Sequence, residues 1–406
     1  MENYSAKQWT LIDLANHLGK DKDVYKDRLA FGREILEAVK EGTAEEYTEH
    51  ADNPALFTKG IMAVEKMLRN EPTGHVIGLD ACNSGPQILS ALMHCEVGMR
   101  NTGLINTGTR PDGYSILKDN MYVEVDVTRK QVKNATVPYA YGSDYKPELI
   151  FGEELFHEYE KAYERTFPEA YLVRKILINA WNEDAPYHEF TLPNGLVAHL
   201  ECRAVEEYRA EIEGYTYTYA TSINRPLKKG EKGSKSLVAN VTHGADGMVV
   251  QELDERCNYN QNQLRRVIEA IDNHLEQGSE LQHEEFLRIQ ELALVHNFVS
   301  VANWNNIIEG YLAGADETYL LKLRAKAIDA LMYQSFETFS IHDEFKCGVN
   351  NVERMRYVYN SIMAELYQST WLLDVIEQLT GDRYDWDEPT KPEIVKAIME
   401  SDYAIS

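Results

Sequence analysis

Apolar residues recur at helical spacing over several stretches of the chain. Residues 9–18 and 25–40 place their apolar side chains three or four positions apart, which is typical of amphipathic helices. The same spacing recurs over residues 264–275 and 286–294. The pattern predicts helices near the amino terminus and a block of helices over residues 251–337.

Two short segments are typical of strands, and an aspartate stands at the end of each. The apolar run at residues 76–79 leads into Asp80, and small, turn-forming residues and then a predicted helix follow. Residues 338–349 form a strand-like run that turns at His342 and Asp343 and returns, as in a hairpin. The two aspartates are far apart in the sequence but free to meet in the fold.

One predicted helix has a distinctive face. Arg129, Lys133, Val137 and Tyr141 recur every four residues, and at about 100° per residue each step drifts by only about 40°. The face thus carries two cations and then an aromatic ring beside Gly142. It suits a triphosphate at one end and a base or sugar at the other. The alternative is a solvated basic face that ends in a buried tyrosine.

Asp80 and Asp343 together meet the needs of magnesium. Mg²⁺ takes oxygen ligands and is usually held by one or two carboxylates plus substrate phosphates. Two such ions stabilise both the attacking and the leaving oxygen in a displacement at phosphorus. The aspartates therefore predict a site for nucleotidyl transfer, although with 66 acidic residues either one alone would more often be a surface charge.

The overall charge argues against simple binding of nucleic acid. Forty-one lysines and arginines stand against 66 acidic residues, which gives a net charge of −25. Because phosphate contacts supply much of the affinity for nucleic acid, the chain should bind DNA poorly unless its cations line one cleft or another chain contributes them. The lysine-rich segment 228–235 is either a phosphate clamp or a mobile hairpin tip.

Other features narrow the class of protein. The five cysteines form no CxxC pair and are odd in number, so a reduced setting is expected rather than a disulfide scaffold. No apolar run is long enough to span a membrane. Tyr215, Tyr217 and Tyr219 alternate with threonines, which indicates a strand. His243 is expected in a capped loop, with no chemical role.

The distinctive segments, taken in order, resemble the single-subunit RNA polymerases of bacteriophages and mitochondria. The matching residues are Asp80, Gly85 and Gln87 of a first palm motif, Arg129, Lys133, Tyr141 and Gly142 of a fingers helix, and His342 and Asp343 of a second palm motif. Weaker similarities lie at residues 111–114, 192–195, 239–247 and 398–406. The resemblance runs from about residue 7 to residue 406.

This resemblance implies an α+β fold. An antiparallel palm sheet with flanking helices would stand beside mainly helical fingers, as in a right hand without its own thumb or promoter-reading domain. Residues 1–97 would form the first half of the palm and 98–250 the fingers. Residues 251–337 would be a helical insertion, and 338–406 the second half of the palm with a C-terminal foot.

The resemblance also implies roles in catalysis. Asp80 and Asp343 would hold two Mg²⁺ ions, helped by the backbone carbonyl of Ala81. Lys133 would neutralise the triphosphate and could protonate the pyrophosphate leaving group. Arg129 would bind the outer phosphates. Positioning and electrostatics would supply most of the rate.

Further residues would bind the substrate. Tyr141, followed by Gly142, would lie against the incoming sugar and base and help to select ribose. Tyr114 would stand beside the fingers helix. His342 would support the primer terminus. Gly85 would leave room for a 2′-hydroxyl.

Two alternatives remain open. Related DNA polymerases share the arginine, lysine and tyrosine spacing, but they carry a glutamate where this chain has Gly85, which favours ribonucleotides. The chain departs from the RNA polymerases near Val249, where they place a histidine that cooperates in selecting ribose. A non-catalytic subunit that keeps the polymerase fold is the other alternative.

The resemblance implies several partners. The chain is most like the larger subunit of a split, two-subunit phage RNA polymerase, with a smaller subunit supplying the missing N-terminal part. Template DNA, single-stranded or already melted, would bind with the RNA product and ribonucleoside triphosphates. A phage recruitment factor would be a further partner, and no membrane is expected. The setting would be the cytoplasm of a phage-infected bacterial host.

Overall fold

Helices surround a single strand in the first quarter of the chain. The computed structural model describes residues 1–231, 233–384 and 389–406. The first elements are α1 (Ala6–Ala15), α2 (Tyr25–Glu41), α3 (Pro54–Leu68), β1 (Val76–Asp80) and α4 (Ser84–Leu92), with a π-helical turn at Asn16–Lys20 and a 3-10 helix at Ala44–His50. The predicted helices near residues 9–18 and 25–40 are confirmed, as is the strand before Asp80.

A three-stranded antiparallel sheet brings distant parts of the chain together. β1 pairs with β7 (Glu344–Gly348), and β7 pairs with β6 (Thr338–Ile341). Asp80 lies opposite Glu344 in the register, and residues 342–343 form the turn of the β6–β7 hairpin. The predicted hairpin is confirmed, and the two strand ends that carry aspartates are neighbours.

Five helices follow and pack beside the sheet. They are α5 (Glu96–Asn101), α6 (Gly113–Asp119), α7 (Arg129–Ala140), α8 (Tyr145–Thr166) and α9 (Pro168–Asn179). The Thr128 side chain caps α7 by accepting a hydrogen bond from the backbone of Gln131, whose side chain returns the contact in a capping box. The helix predicted from Arg129 is confirmed, and Tyr141 is its C-terminal cap.

Two hairpins follow α9. Their strands are β2 (Tyr187–Thr191) with β3 (Val197–Glu201), and β4 (Arg203–Ile212) with β5 (Tyr215–Pro226). The β4–β5 hairpin is exposed on both faces near its tip, and Tyr215, Tyr217 and Tyr219 point to one of these faces. The strand predicted from these tyrosines is confirmed.

The lysine-rich segment 228–235 is not a hairpin tip. It connects β5 to the next helix, whereas the tip lies at residues 213–214. Lys235 is paired with Asp144, and Lys229 donates to the Asn179 side chain at 3.3 Å. Lys232 lies outside the described residues. The prediction was wrong because the second strand of the hairpin, β5, runs from the tyrosines to Pro226, so segment 228–235 follows the hairpin.

The remaining helices complete two hydrophobic cores. They are α10 (Ser236–Cys257), α11 (Gln261–Gln277), α12 (Glu284–His296), α13 (Glu317–Leu331), α14 (Val352–Tyr367), α15 (Trp371–Thr380) and α16 (Pro392–Met399), with short 3-10 helices at Val301–Asn306 and Val349–Asn351. The main core contains buried residues from β1, the β6–β7 hairpin and most helices. A smaller core lies among α11, α12 and α13. Helices predicted at residues 264–275 and 286–294 are confirmed.

A buried ionic network joins α10, α13 and α14. Arg256 donates to both carboxylate oxygens of Glu365 at 2.8 Å and to Glu252 at 2.7 Å. Lys326 donates to the same Glu365 carboxylate. Glu252 also accepts a hydrogen bond from the hydroxyl of Ser300. The second core is thus linked to the main core by paired charges as well as by apolar contact.

The close packing of α1 on α2 requires a glycine. A Cβ atom on Gly32 would lie 2.3 Å from the backbone oxygen of Leu11. We therefore expect Gly32→Ala to lower the free energy of unfolding by about 1–3 kcal/mol, as overpacking of a core does. Urea unfolding would measure it. Gly247→Ala in α10 is the control, because its Cβ meets no described atom within 4 Å and it should raise stability slightly.

The predicted α+β class is confirmed. All five cysteines are free and buried. Among the described residues, no helix has the length and apolar character needed to cross a membrane.

Candidate active site

A cavity of about 780 Å³ opens where β1, the β6–β7 turn, α7 and α10 meet. Nine of the residues predicted from the sequence line it: Asp80, Ala81, Gly85, Tyr114, Arg129, Lys133, Tyr141, His342 and Asp343. Gly142 does not line this cavity. Its φ of +97° ends the α7 helix, and it packs against the backbone of Lys235.

The sheet places two carboxylates at the floor of the cavity. The backbone N–H of Ala81 donates to the carbonyl of Asp343 at 3.1 Å, which joins the two strand ends. Burial, together with the negative charges of Asp343 and Glu344, raises the pKa of Asp80 to about 6. His342 takes a φ of +57° in the turn. Negative charge is therefore concentrated here without a cation paired to Asp80 among the described residues.

This donor set fits magnesium. Carboxylates without a paired cation attract a metal ion. Two carboxylates and the backbone carbonyl of Ala81 provide the oxygen ligands that Mg²⁺ prefers. Within the described residues, no group of three or more histidine, cysteine, aspartate or glutamate side chains could hold a metal. Substrate phosphates and water would therefore have to complete the coordination.

Helix α7 presents its cations across from the carboxylates. The Arg129 guanidinium binds Asp112 through two contacts, at 2.5 and 2.8 Å. This hydrogen bonding raises the pKa of Arg129, and it lowers that of Asp112 despite burial. Lys133 has no ion-pair partner among the described residues and lies 5.8 Å from the centre of the Tyr114 ring. Its charge is therefore available to a ligand.

Two further cations, which the sequence analysis did not single out, line the cavity. Lys22 follows the π-helical turn after α1 and contacts Asp21 at 2.7 Å. Arg110 donates to the hydroxyl of Ser406 at 2.8 Å. Both positive charges act to lower the pKa of Asp80. With Arg129 and Lys133, they gather positive charge in one cleft of an otherwise acidic chain.

His243 is in a helix and not in a capped loop, so the expectation for this residue was wrong. It lies inside α10, and its ring is parallel to that of Tyr141, with 4.3 Å between the ring centres. Burial, and then the nearby charge of His342, lowers the pKa of His243. The stack holds the Tyr141 ring against the wall of the cavity.

Asp246, one turn further along α10, is a third residue of the cavity that the sequence analysis did not single out. The Ser84 hydroxyl donates to its carboxylate at 3.2 Å. Burial and the charge of Asp343 raise the pKa of Asp246 to about 6. Val249, in contrast, is buried in the core and does not reach the cavity.

Helical spacing over residues 239–250 could have indicated that some of these residues share one face of a helix. His243, Asp246 and Val250 follow each other at intervals of three and four residues, and all three line the cavity. Lys22 and Arg110 carry no comparable signal in the sequence, because each lies in a short connection between helices.

Comparison with known families gives one match. The sequence profile of the family described as DNA-dependent RNA polymerase matches residues 3–146. No curated protein matches the chain. The matched part contains Asp80, Gly85 and the cationic helix α7, and it ends before α10 and the β6–β7 hairpin. The resemblance to this polymerase family is confirmed.

Proposed function

We propose that this chain, which resembles the DNA-dependent RNA polymerases over residues 3–146, carries a site that adds ribonucleotides to RNA on a DNA template. One observation carries the proposal. Two carboxylates at the ends of strands, Asp80 and Asp343, line the same cavity as the cations of α7, Arg129 and Lys133. Nucleotidyl transfer needs this combination of oxygen ligands for metal and fixed positive charge for a triphosphate.

The carboxylates would hold magnesium. Asp80 and Asp343 would bind two Mg²⁺ ions, with the backbone of Ala81 as a further oxygen donor. Such ions stabilise the charge on the attacking and leaving oxygens of a displacement at phosphorus. Burial, and then repulsion by Asp343 and Glu344, raises the pKa of Asp80, and a bound cation would offset both.

The cations would bind the triphosphate. Lys133, free of ion pairs among the described residues, would contact the phosphates and donate a proton to the leaving pyrophosphate. Arg129 would bind the outer phosphates and would exchange part of its contact with Asp112 for them. Lys22 and Arg110 would add further positive charge in the same cavity.

The remaining predicted residues would bind the nucleoside and the primer. Tyr141 would lie against the sugar and base, and Tyr114 would support the cationic side chains of α7. His342, in the turn, would support the primer terminus. Gly142 would act by ending α7 at Tyr141. A Cβ atom at Gly85 would lie 3.0 Å from a methyl carbon of Thr242 and 3.8 Å from the Tyr141 oxygen, so a larger side chain there would crowd the place where a 2′-hydroxyl would lie.

The architecture and partners extend this proposal. The antiparallel sheet with its flanking helices would be a palm, and the helices around α7 would be fingers, as in a right hand. A smaller phage subunit would supply the N-terminal part, and a phage factor would recruit the enzyme. The net charge of −25 supports partners that contribute cations. The template would be single-stranded or already melted.

Primer extension tests the proposal. The chain would be incubated with an RNA primer on a single-stranded DNA template, Mg²⁺, and either ribonucleotides or deoxynucleotides. We expect ribonucleotide addition. Lys133→Ala should reduce the rate by about 10²–10³-fold, the usual cost of losing one group that stabilises the transition state. Lys130→Ala is the matched control, because Lys130 lies on the same helix, exposed and outside the cavity.

Other results would favour the alternatives. A preference for deoxynucleotides would indicate a DNA polymerase of the related family. If the chain binds nucleotides without adding them, the assay would be repeated with the smaller subunit present. A chain that neither binds nor adds nucleotides would be a non-catalytic subunit, and the proposal would be wrong.

A further inference from the structure

We propose that the outer part of the β4–β5 hairpin, residues 206–219, is a docking surface for an extended, basic segment of a partner protein. The inference goes beyond the proposed function. It concerns a surface on a separate element, and it does not depend on the cavity or on nucleotide addition.

The strand register puts five large side chains on one face of the hairpin. Tyr208 lies opposite Tyr219, and Ile212 lies opposite Tyr215. Residues directly opposite each other share a face, and so do residues two positions apart along a strand. Tyr217 therefore lies between Tyr215 and Tyr219 on the same side. We call the surface formed by these five residues the tyrosine face.

The tyrosine face is left in solvent. Its members are between 40 and 70 % exposed: Tyr208, Ile212, Tyr215, Tyr217 and Tyr219. One aromatic side chain carries about 150–250 Å² of surface, so the four tyrosines leave on the order of 400 Å² in water. Exposed patches of about 300–600 Å² on a monomer often mark interaction sites. Tyrosine is also enriched at the centres of protein interfaces.

The charges of the outer hairpin favour a basic partner. Residues 206–219 contain four glutamates, Glu206, Glu207, Glu211 and Glu213, and one arginine, Arg209. Because phosphate contacts supply much of the affinity for nucleic acid, DNA or RNA should bind this surface poorly. A second copy of the hairpin would bring the same glutamates together, so self-association is disfavoured as well.

The shape and chemistry of the tyrosine face suit an extended segment. Two paired strands lie only about 5 Å apart, so the face is a narrow strip. Aromatic strips of this kind bind proline-rich, extended peptides, and tyrosine rings also attract arginine and lysine. Tyr208 donates to the Glu206 carboxylate at 2.6 Å, which holds a negative charge beside the rings. A segment with arginines between apolar residues would satisfy the rings and the glutamates together.

A synthetic peptide tests the inference. The probe has about twelve residues of alternating proline and arginine, so it is extended and cannot pair as a regular strand. Its affinity for the full chain would be measured by fluorescence anisotropy at about 0.15 M salt. We expect binding, and Tyr217→Ser should weaken it about three- to tenfold, the value of one contact between a cation and an aromatic ring. Thr218→Ser, on the opposite face of the same strand, is the matched control and should bind as the wild type does.

Hydrogen exchange would locate the bound peptide and report whether each variant keeps the hairpin. We expect protection of residues 206–219. If Tyr217→Ser loses the hairpin, Tyr215→Ser at the tip takes its place in the comparison. A peptide with glutamate in place of arginine should not bind, because the hairpin is acidic.

Four results would overturn the inference. They are a wild-type chain that does not bind the peptide, equal affinities of Tyr217→Ser and Thr218→Ser, a peptide that protects only other parts of the chain, and binding of the glutamate peptide. Binding of single-stranded oligothymidine that Tyr217→Ser abolishes would assign the tyrosine face to nucleic acid instead. A dimer of the chain that the same substitution dissociates would assign it to a second copy. Each of these results would leave the proposed function intact, because none of them concerns the cavity.

Discussion

Asp343→Asn is expected to reduce nucleotide addition by about 10³-fold or more. The asparagine keeps the size of the side chain but loses the charge and one strong oxygen ligand for Mg²⁺. A metal ligand contributes several kcal/mol of stabilisation to the developing charge, and each 1.36 kcal/mol corresponds to a factor of ten in rate. Single-nucleotide primer extension with the full chain would measure the loss.

The same substitution should not weaken the fold. Asp343 lies beside Asp80, and its charge is one cause of the raised pKa of Asp80. Removing that charge relieves a repulsion in the metal-free protein, so the thermal midpoint should stay equal or rise. Asp254→Asn provides the same chemical change outside the cavity and should retain activity. A folded Asp343→Asn variant with near wild-type activity would contradict the metal assignment.

Glu365→Gln is expected to have the largest effect on stability, lowering the free energy of unfolding by about 3–5 kcal/mol. Glu365 is the common partner of Arg256 and Lys326, both of which are shielded from solvent. Glu252 still pairs with Arg256 when the Glu365 charge is lost, but one positive charge, that of Lys326, is left uncompensated in a region of low dielectric. Urea unfolding followed by circular dichroism would measure the change.

The pH dependence of this effect has a defined sign. Burial alone would raise the pKa of Glu365, but the charges of Arg256 and Lys326 hold it at about 2, below its ordinary value of 4.5. The network therefore contributes fully above pH 4.5, and its contribution is lost as the pH falls toward 2. The difference between wild type and Glu365→Gln should shrink over that range.

An exposed ion pair supplies the control for this prediction. Glu285 contacts Arg288 within α12, where both side chains are largely exposed. Glu285→Gln should change stability by less than about 1 kcal/mol because solvent screens the pair. Equal effects of Glu285→Gln and Glu365→Gln would show that burial does not strengthen the network.

Local sequence patterns were sufficient for several of the elements. The strand before Asp80, the turn at residues 342–343 and the helix from Arg129 follow from the spacing of apolar residues and from turn chemistry. The pattern failed at residues 228–235, where charge alone suggested a hairpin tip. The tip lies instead at Glu213 and Gly214, both with positive φ, and β5 ends at Pro226, which cannot donate to a strand ladder.

The candidate site was only partly predictable. Arg129, Lys133 and Tyr141 share a helical face, so their closeness follows from one element. The pairing of β1 with β7 depends on contacts between residues more than 250 positions apart, and only the family resemblance suggested it. Asp246 and His243 were missed because their contacts with Ser84 and Tyr141 exist only after α10 has packed on α4 and α7.

The β4–β5 hairpin is held mainly by hydrogen bonds between its own strands. Near the tip both faces are in solvent, so the strands gain little from burial of apolar surface. Two-stranded hairpins without a packed face are only marginally stable. This arm can therefore open locally at a small fraction of the free energy that unfolds the rest of the chain. Its amide hydrogens would then exchange with solvent long before those of the buried sheet, even though both are regular β-structure.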